Sequence, residues 1–312
     1  MRSVVFAYQD VGYVCLEALL DMGAEVSAVF THDDAPGEEI WFRSVRALAE
    51  RHGLPVFTPS KLDQGEWIER LQQWAPDFLF SFYYRNLLPA AVLDTASRAA
   101  LNLHGSLLPR YRGRCPVNWV LIHGESETGV TLHHMVEKAD RGDIVAQRRV
   151  AIADDDTART LYGKLTSAAA ELVRDSYPRL CAGTAARVPQ DQAAASYFGG
   201  RKPEDGRIDW KGEARSVYNL VRAVTHPYPG AFTTWQGRPL LVWEARVVES
   251  ESIAPPPGTI VAAPDAIDVQ TGRGRLRLIR VQLEGEAELP AAEWARKHGI
   301  NSGAALGERH EA

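Results

Sequence analysis

The sequence predicts an α/β protein, with a Rossmann-like parallel sheet in an N-terminal domain and a smaller β-barrel domain after it. Three observations support this. Short apolar runs alternate with helix-spaced apolar positions through the first half of the chain, the pattern of βαβ units. At 312 residues the chain exceeds one typical domain. Past about residue 205 the pattern changes to short runs broken by Gly and Pro turns, as in a small barrel.

The elements follow in order. Residues 4–8 form an apolar strand, then Gly12 and the apolar positions Val14, Leu16, Leu19 and Leu20 mark a helix, and a second strand at 25–30 follows Gly23. An acidic loop over 33–39 leads to a helix at about 40–52, an extended segment at 55–57, a helix around 67–74 and a buried strand at 78–82. The first turn, Tyr8-Gln9-Asp10-Val11-Gly12, lacks the Gly-x-Gly-x-x-Gly spacing that lets a backbone approach a pyrophosphate. A nicotinamide cofactor is therefore not expected.

Residues 115–123 read as a helix, and the extended segments 129–136 and 144–152 are predicted to form a hairpin around the polar turn at 139–143. Asp154, Asp155, Asp156 and Thr157 offer capping groups for a helix carrying Leu161, Leu165, Ala168 and Leu172, which Pro178 is expected to end or bend. The Gly, Pro and charge mixture at 197–206 reads as a linker, which sets the expected domains at 1–204 and 205–312. Strands are expected at 231–235, 240–248, 258–262 and 276–281.

Composition narrows the function classes. A hydrophobic content of 45% with 24% charged residues is ordinary for a soluble protein, and no apolar run approaches the roughly 18 residues that span a bilayer. Membrane insertion is not expected, and the apolar N-terminal run reads as the first strand rather than a signal peptide. The three cysteines, Cys15, Cys115 and Cys181, are far apart, so neither a disulfide framework nor a zinc site is indicated and a reducing cytoplasm fits. A net charge of −5 argues against a dedicated nucleic-acid binder, which needs excess Lys and Arg to neutralise phosphates.

The chemistry concentrates in Leu101-Asn102-Leu103-His104-Gly105-Ser106-Leu107-Leu108-Pro109. Asn102 and His104, two residues apart in a strand, share one face, and the sharp turn that follows puts them at the rim of the sheet, where ligands of open α/β folds bind. A lone histidine in an apolar strand is more often a hydrogen-bonded core residue. Its context is Arg110-Tyr111-Arg112-Gly113-Arg114-Cys115-Pro116, then Glu127-Thr128-Gly129-Val130-Thr131, then the run from Met135 to Asp140-Arg141-Gly142-Asp143-Ile144. Together these motifs resemble the folate-dependent formyltransferases. The resemblance spans nearly the whole chain and is closest to the UDP-4-amino-4-deoxy-L-arabinose formyltransferases, a branch of the superfamily that includes the methionyl-tRNA formyltransferases.

The resemblance implies a catalytic triad of Asn102, His104 and Asp140 and an OB-like C-terminal barrel. It also implies contacts to N10-formyltetrahydrofolate, the co-substrate, from Asn86, Leu87, Leu88 and Arg114 and from Val136, Glu137, Lys138, Ala139 and Asp140. Arg222 and the loop around Tyr228 match a family signature near the acceptor, while Arg201 and Lys202 are candidates for nucleotide phosphates. The acceptor so implied is a small nucleotide sugar, UDP-4-amino-4-deoxy-L-arabinose, formylated on its 4-amino group in the lipid A modification associated with polymyxin resistance. Arg114-Cys115-Pro116-Val117-Asn118-Trp119 leans to that branch, with Cys at position 115 where Ala is usual. Relatives often carry a fused decarboxylase, so here a separate decarboxylase is expected to act upstream.

Each residue has a role by its chemistry. His104 titrates near neutrality and can move the amine proton; Asn102 can donate to the formyl oxygen as it gains charge. Asp140 would orient the imidazole and raise its pKa. No metal is expected, because His133 and His134 are adjacent on a strand and point to opposite faces. The rival readings are a methionyl-tRNA formyltransferase, another nucleotide-sugar N-formyltransferase, a hydrolase of the folate, or a non-catalytic folate- or nucleotide-binding module.

Overall fold

The computed structural model of the chain describes residues 1–34, 40–63, 65–250, 253–263 and 266–307, in two compact units. The first comprises Met1–Pro116, Glu127–Ile152 and Tyr162–Gly199; the second comprises Val117–Ser126, Ala153–Leu161 and the chain from Gly200 onward. The acidic loop expected at 33–39 lies mostly outside the described residues.

In chain order the elements up to residue 199 are β1 (Arg2–Ala7), α1 (Gln9–Asp21), β2 (Glu25–Phe30), α2 (Val45–Arg51), β3 (Val56–Phe57), α3 (Gly65–Trp74), β4 (Phe78–Phe82), α4 (Ala90–Leu93), β5 (Ala99–His104), β6 (Arg112–Gly113), α5 (Pro116–Ile122), β7 (Glu127–His134), β8 (Ile144–Ala151), α6 (Ala158–Ala182) and β9 (Tyr197–Phe198). Seven strands form one sheet in the order β3-β2-β1-β4-β5-β7-β8. Pairing is parallel from β3 to β5 and antiparallel from β5 through β8. The parallel part is a Rossmann-like α/β sheet, and the predicted hairpin is β7–β8. All five residues of β4 are buried, as expected of a parallel strand covered on both faces. On one face Val4, Phe6, Ala28, Phe30, Leu71 and Leu79 join a single apolar cluster, with the Phe6 and Phe30 rings stacked at 4.7 Å.

Two sequence expectations need correction and one is narrowed. The helix expected from residue 40 begins only at Val45, because Ser44 caps it: its hydroxyl accepts the Ala47 N–H at 3.2 Å. Of the two outcomes expected at Pro178, an end is not what occurs: α6 continues past it to Ala182, with Tyr177 and Leu180 buried on either side. Residues 197–198 are not linker but β9, which pairs parallel with β6 and so ties down the loop carrying Arg112 and Gly113.

The second unit holds an antiparallel sheet behind two helices. Its further elements are α7 (Ala214–Val224), β10 (Ala231–Trp235), β11 (Arg238–Val248), β12 (Ile260–Ala263), β13 (Ala266–Gln270), β14 (Arg275–Leu283), β15 (Leu289–Pro290) and α8 (Ala291–Lys297). The sheet order is β10-β11-β14-β13-β12 with β15 beside β14, an antiparallel half-barrel. The four expected strands are present. The helices α7 and α8 and the strands β13 and β15 were not expected. In α7 the residues Ala214, Val217, Val221 and Val224 recur at helical spacing and are buried, and the helix packs on β11. Trp294 of α8 is buried edge-on to Trp235, with ring centroids 5.9 Å apart. Among the described residues no helix is long and apolar enough to cross a membrane.

Candidate active site

Strand β5 is where the sheet changes from parallel to antiparallel pairing. Its alternation buries Leu101 and Leu103 on one face and turns Asn102 and His104 to the other. Directly opposed residues of an antiparallel pair share a face, and β7 places His133 across from Asn102 and Thr131 across from His104. Thr131 braces the turn after β5: its hydroxyl donates to Ser106 O at 2.6 Å and accepts the Leu108 N–H at 3.1 Å.

Asp140 reaches the same face from the β7–β8 connection. Its backbone is left-handed, with φ of 58°, a conformation that Asp tolerates better than most side chains. Two ties hold it. Gly113 donates its N–H to Asp140 Oδ2 at 2.8 Å, and Gln190 donates to the carbonyls of Asp140 at 2.9 Å and Gly142 at 2.7 Å. Buried Arg112 grips Gln190 Oε1 through Nε at 3.1 Å and Nη2 at 2.7 Å. A Cβ at Gly142 would lie 1.9 Å from His134 O, so only glycine lets the loop close against the strand.

The outcome is one polar cluster. His104 Nδ1 lies 3.5 Å from Asp140 Oδ1, and His133 Nε2 lies 3.6 Å from the same oxygen. His104 Nε2 is 2.8 Å from the carbonyl of Tyr111, which can only accept, so the neutral ring carries its proton on Nε2 and a lone pair on Nδ1. His133 Nδ1 faces the carbonyl of His134 at 2.8 Å, and Asn102 Nδ2 lies 3.1 Å from His133 Nε2. His133 therefore donates through Nδ1 and accepts the Asn102 amide hydrogen through Nε2. His104 is 6% exposed and His133 is 1% exposed.

Electrostatics corrects one expectation. Burial pushes the His104 pKa below its ordinary value of 6.5, outweighing the pull of Asp140 and the Tyr111 carbonyl. The carboxylate does not win. For Asp140, burial alone would favour the neutral acid, but His104, His133 and the Gly113 N–H overcome it and hold the pKa at about 2.

The remaining expected site residues divide between the units. In the first, Asn86, Leu87 and Arg114 are exposed and Leu88 is half-buried; Leu87 is 76% exposed. Val136, Glu137 and Lys138 are exposed and Ala139 is half-buried on the loop that leads into Asp140, with Val136 at 45%. Of the arginines at 110, 112 and 114, Arg112 is buried, with Nη1 on Gln192 Oε1 and Nη2 on Gln190 Oε1. In the second, Arg201 lies over the Trp119 ring at 4.8 Å and donates to Asp205 O, exposed Lys202 takes the Asp205 carboxylate on its backbone N–H, and Tyr228 is half-buried. Arg222, expected among the acceptor-binding residues, has its guanidinium bonded within its own unit: it is buried, with Nε on Asn219 Oδ1 and Nη1 on the carbonyls of Ala153 and Asp156. Asn118 of the Asn-Trp pair likewise donates to Ala223 O at 2.7 Å.

His133 and Gln190 are site residues that sequence spacing did not single out. His133 and His134 do point to opposite faces, and among the described residues no group of three or more His, Cys, Asp or Glu side chains could hold a metal.

Solved structures share this architecture. HypX from Aquifex aeolicus, in complex with tetrahydrofolic acid, superposes with a TM-score of 0.65 at 18% identity, covering 99% of this chain and 51% of that one, so the chain spans about half its length. WlaRD, a sugar 3N-formyl transferase solved in the presence of dTDP and 5-N-formyl-THF, gives a TM-score of 0.70 at 17% identity over 92% of this chain and 99% of that one. An N-formyltransferase from Helicobacter canadensis, solved with folinic acid and dTDP-3-aminofucose, gives 0.67 at 20% identity over 89% and 98%. At these identities the likeness is one of fold. The sequence itself is more specific: the formyl transferase pattern matches residues 2–175 and the formyl transferase C-terminal domain pattern matches residues 201–299, and the chain belongs to the formyl transferase family.

Proposed function

We propose that this protein transfers a formyl group from N10-formyltetrahydrofolate to the 4-amino group of UDP-4-amino-4-deoxy-L-arabinose. The observation that carries the reaction type is the convergence of Asn102, His104 and Asp140 on one face at the end of β5. The exposed apolar side chains of Leu87 and Val136, on loops of the same unit, suit the flat pteridine of the donor. When bound, the folate supplies an activated formyl carbon. The acceptor class rests on the Arg114 to Trp119 motif and on the two similar structures solved with dTDP or a dTDP-sugar.

The residues divide the work. One Asn102 Nδ2 hydrogen is held by His133, leaving the second to meet the formyl oxygen as it becomes negative. His104 is neutral at rest because it is buried, and its Nδ1 takes the proton that the attacking amine must lose. Both N–H groups of the imidazolium then have acceptors already in place, Tyr111 O and the Asp140 carboxylate. The same Nδ1 returns the proton to the departing nitrogen.

A dTDP-linked amino sugar is the second reading, favoured by the ligands of those two structures. Purified protein is incubated with the formyl donor and, in parallel, UDP-4-amino-4-deoxy-L-arabinose, dTDP-3-amino sugars, methionylated initiator tRNA and no acceptor. Formylation of the UDP-sugar with the highest kcat/KM supports the proposal. Preference for a dTDP-sugar or tRNA reassigns the acceptor, donor consumption without acceptor indicates a hydrolase, and no turnover leaves a binding module.

A further inference from the structure

We infer that His133 is a positioning residue for Asn102, setting which end of the Asn102 amide faces the reacting carbonyl. The inference rests on the proposed reaction. An asparagine amide offers a donor at one end and an acceptor at the other, and a half-turn about its last bond exchanges them. In the exchanged orientation the acceptor oxygen would face the developing negative charge and oppose the reaction. Something must choose between the two.

His133 makes that choice through a chain of fixed donors and acceptors. The His134 carbonyl can only accept, so the ring proton sits on Nδ1 at 2.8 Å, and Nε2 keeps a lone pair. That lone pair, 3.1 Å from the Asn102 side chain, can only accept, which draws Nδ2 rather than Oδ1 to it. Asp140 Oδ1, at 3.6 Å, is farther from Nε2 than the Asn102 amide, and an ionised carboxylate has no proton to donate to that lone pair. A register shift between Leu132 and His133 in the β7–β8 pairing reshapes the strand at this point, the kind of irregularity that re-aims a side chain near a site. With the side chain 2% exposed, water has little access to replace the bond.

Two near-isosteres separate positioning from packing. His133→Gln keeps an acceptor oxygen close to the Nε2 position, while His133→Asn keeps a donor close to Nδ1 and loses the acceptor. The first is expected to retain kcat within about threefold. The second is expected to lower kcat at least tenfold with KM for both substrates within about twofold, a part of the hundred- to thousandfold that follows loss of an oxyanion donor. In an Asn102→Ala background, His133→Asn should change kcat less than about twofold, because its effect runs through the amide. Equal kcat in His133→Asn and wild type, equal loss in Gln and Asn variants, or an undiminished loss in the Asn102→Ala background would overturn the inference.

Nitrogen-15 NMR of the unmodified protein gives an arm free of folding defects. The neutral His133 ring should carry its proton on Nδ1, and a proton found on Nε2 would overturn the inference. This arm needs no acceptor, so it reads the positioning bond even where the acceptor panel fails.

Discussion

Gly113 and Asp140, 27 positions apart in the chain, meet through a backbone N–H donated to carboxylate Oδ2 at 2.8 Å. Gly113 adopts φ of 95°, and a Cβ there would lie 2.2 Å from Phe198 O, across the β6–β9 pairing. Gly113→Ala therefore meets both a strained backbone and a clash, with an expected loss of about 2 kcal/mol in stability. Because the strand that moves also holds Asp140, kcat should fall as well. Urea unfolding and steady-state kinetics on the same preparation check both outcomes.

The Asp140 carboxyl adds a pH dependence of known sign. Its pKa is held down from 3.8 to about 2 in the folded protein, so the folded state binds this proton less readily than the unfolded chain. The stabilisation, about 2 kcal/mol, is complete above the unfolded value and is lost as pH falls through the folded one. The stability gap between wild type and Asp140→Asn should narrow as pH falls from about 5 to about 2. Urea midpoints of the two proteins across that range test it; a gap independent of pH would contradict the assignment.

As the proposed base, His104 is expected to set the acid limb of activity. Burial lowers its pKa below 6.5, so the neutral, proton-accepting form prevails at neutral pH and is lost as pH falls through the lowered value. The expected profile of kcat/KM declines on the acid side, with a midpoint below 6.5. His104→Ala should cost about a hundred- to ten-thousandfold in kcat while leaving the thermal midpoint within a few degrees. An acid midpoint above 6.5 would assign the limb to another group.

Gln190 links Arg112 to the carbonyls of Asp140 and Gly142. Gln190→Leu keeps the volume and removes every one of those bonds, leaving buried groups unpaired at a cost of about 2–3 kcal/mol. The expected signature is a lower urea midpoint together with a reduced kcat, since the freed loop carries Asp140. An unchanged kcat at the lower stability would confine Gln190 to folding.

What was legible in the sequence depended on how local the signal was. The strands at 25–30, 78–82 and 231–235 coincide with β2, β4 and β10, because short runs rich in apolar, aromatic and β-branched residues carry their signal locally. Asn102 and His104 were visible as one face for the same reason: a period of two is written in adjacent residues. His133 was not, since its pairing with Asn102 depends on the register of β5 against β7, set by the turn at 105–109 and the helix that follows. Gln190 lies in a segment without regular structure, and its partners are 48 to 78 positions away. The helix α7 did leave a signal, the spacing of Ala214, Val217, Val221 and Val224, which interleaved Arg and Asn residues obscured.

Strand β5 carries leucines into the core with one set of side chains and the proposed catalytic pair, Asn102 and His104, with the other. A slip by a single position would bury the amide and imidazole in the hydrophobic interior while pushing Leu101 and Leu103 to the outside. A mis-paired sheet is thus both unstable and inert, and turnover can serve as a direct readout of how many molecules in a preparation have threaded that strand correctly.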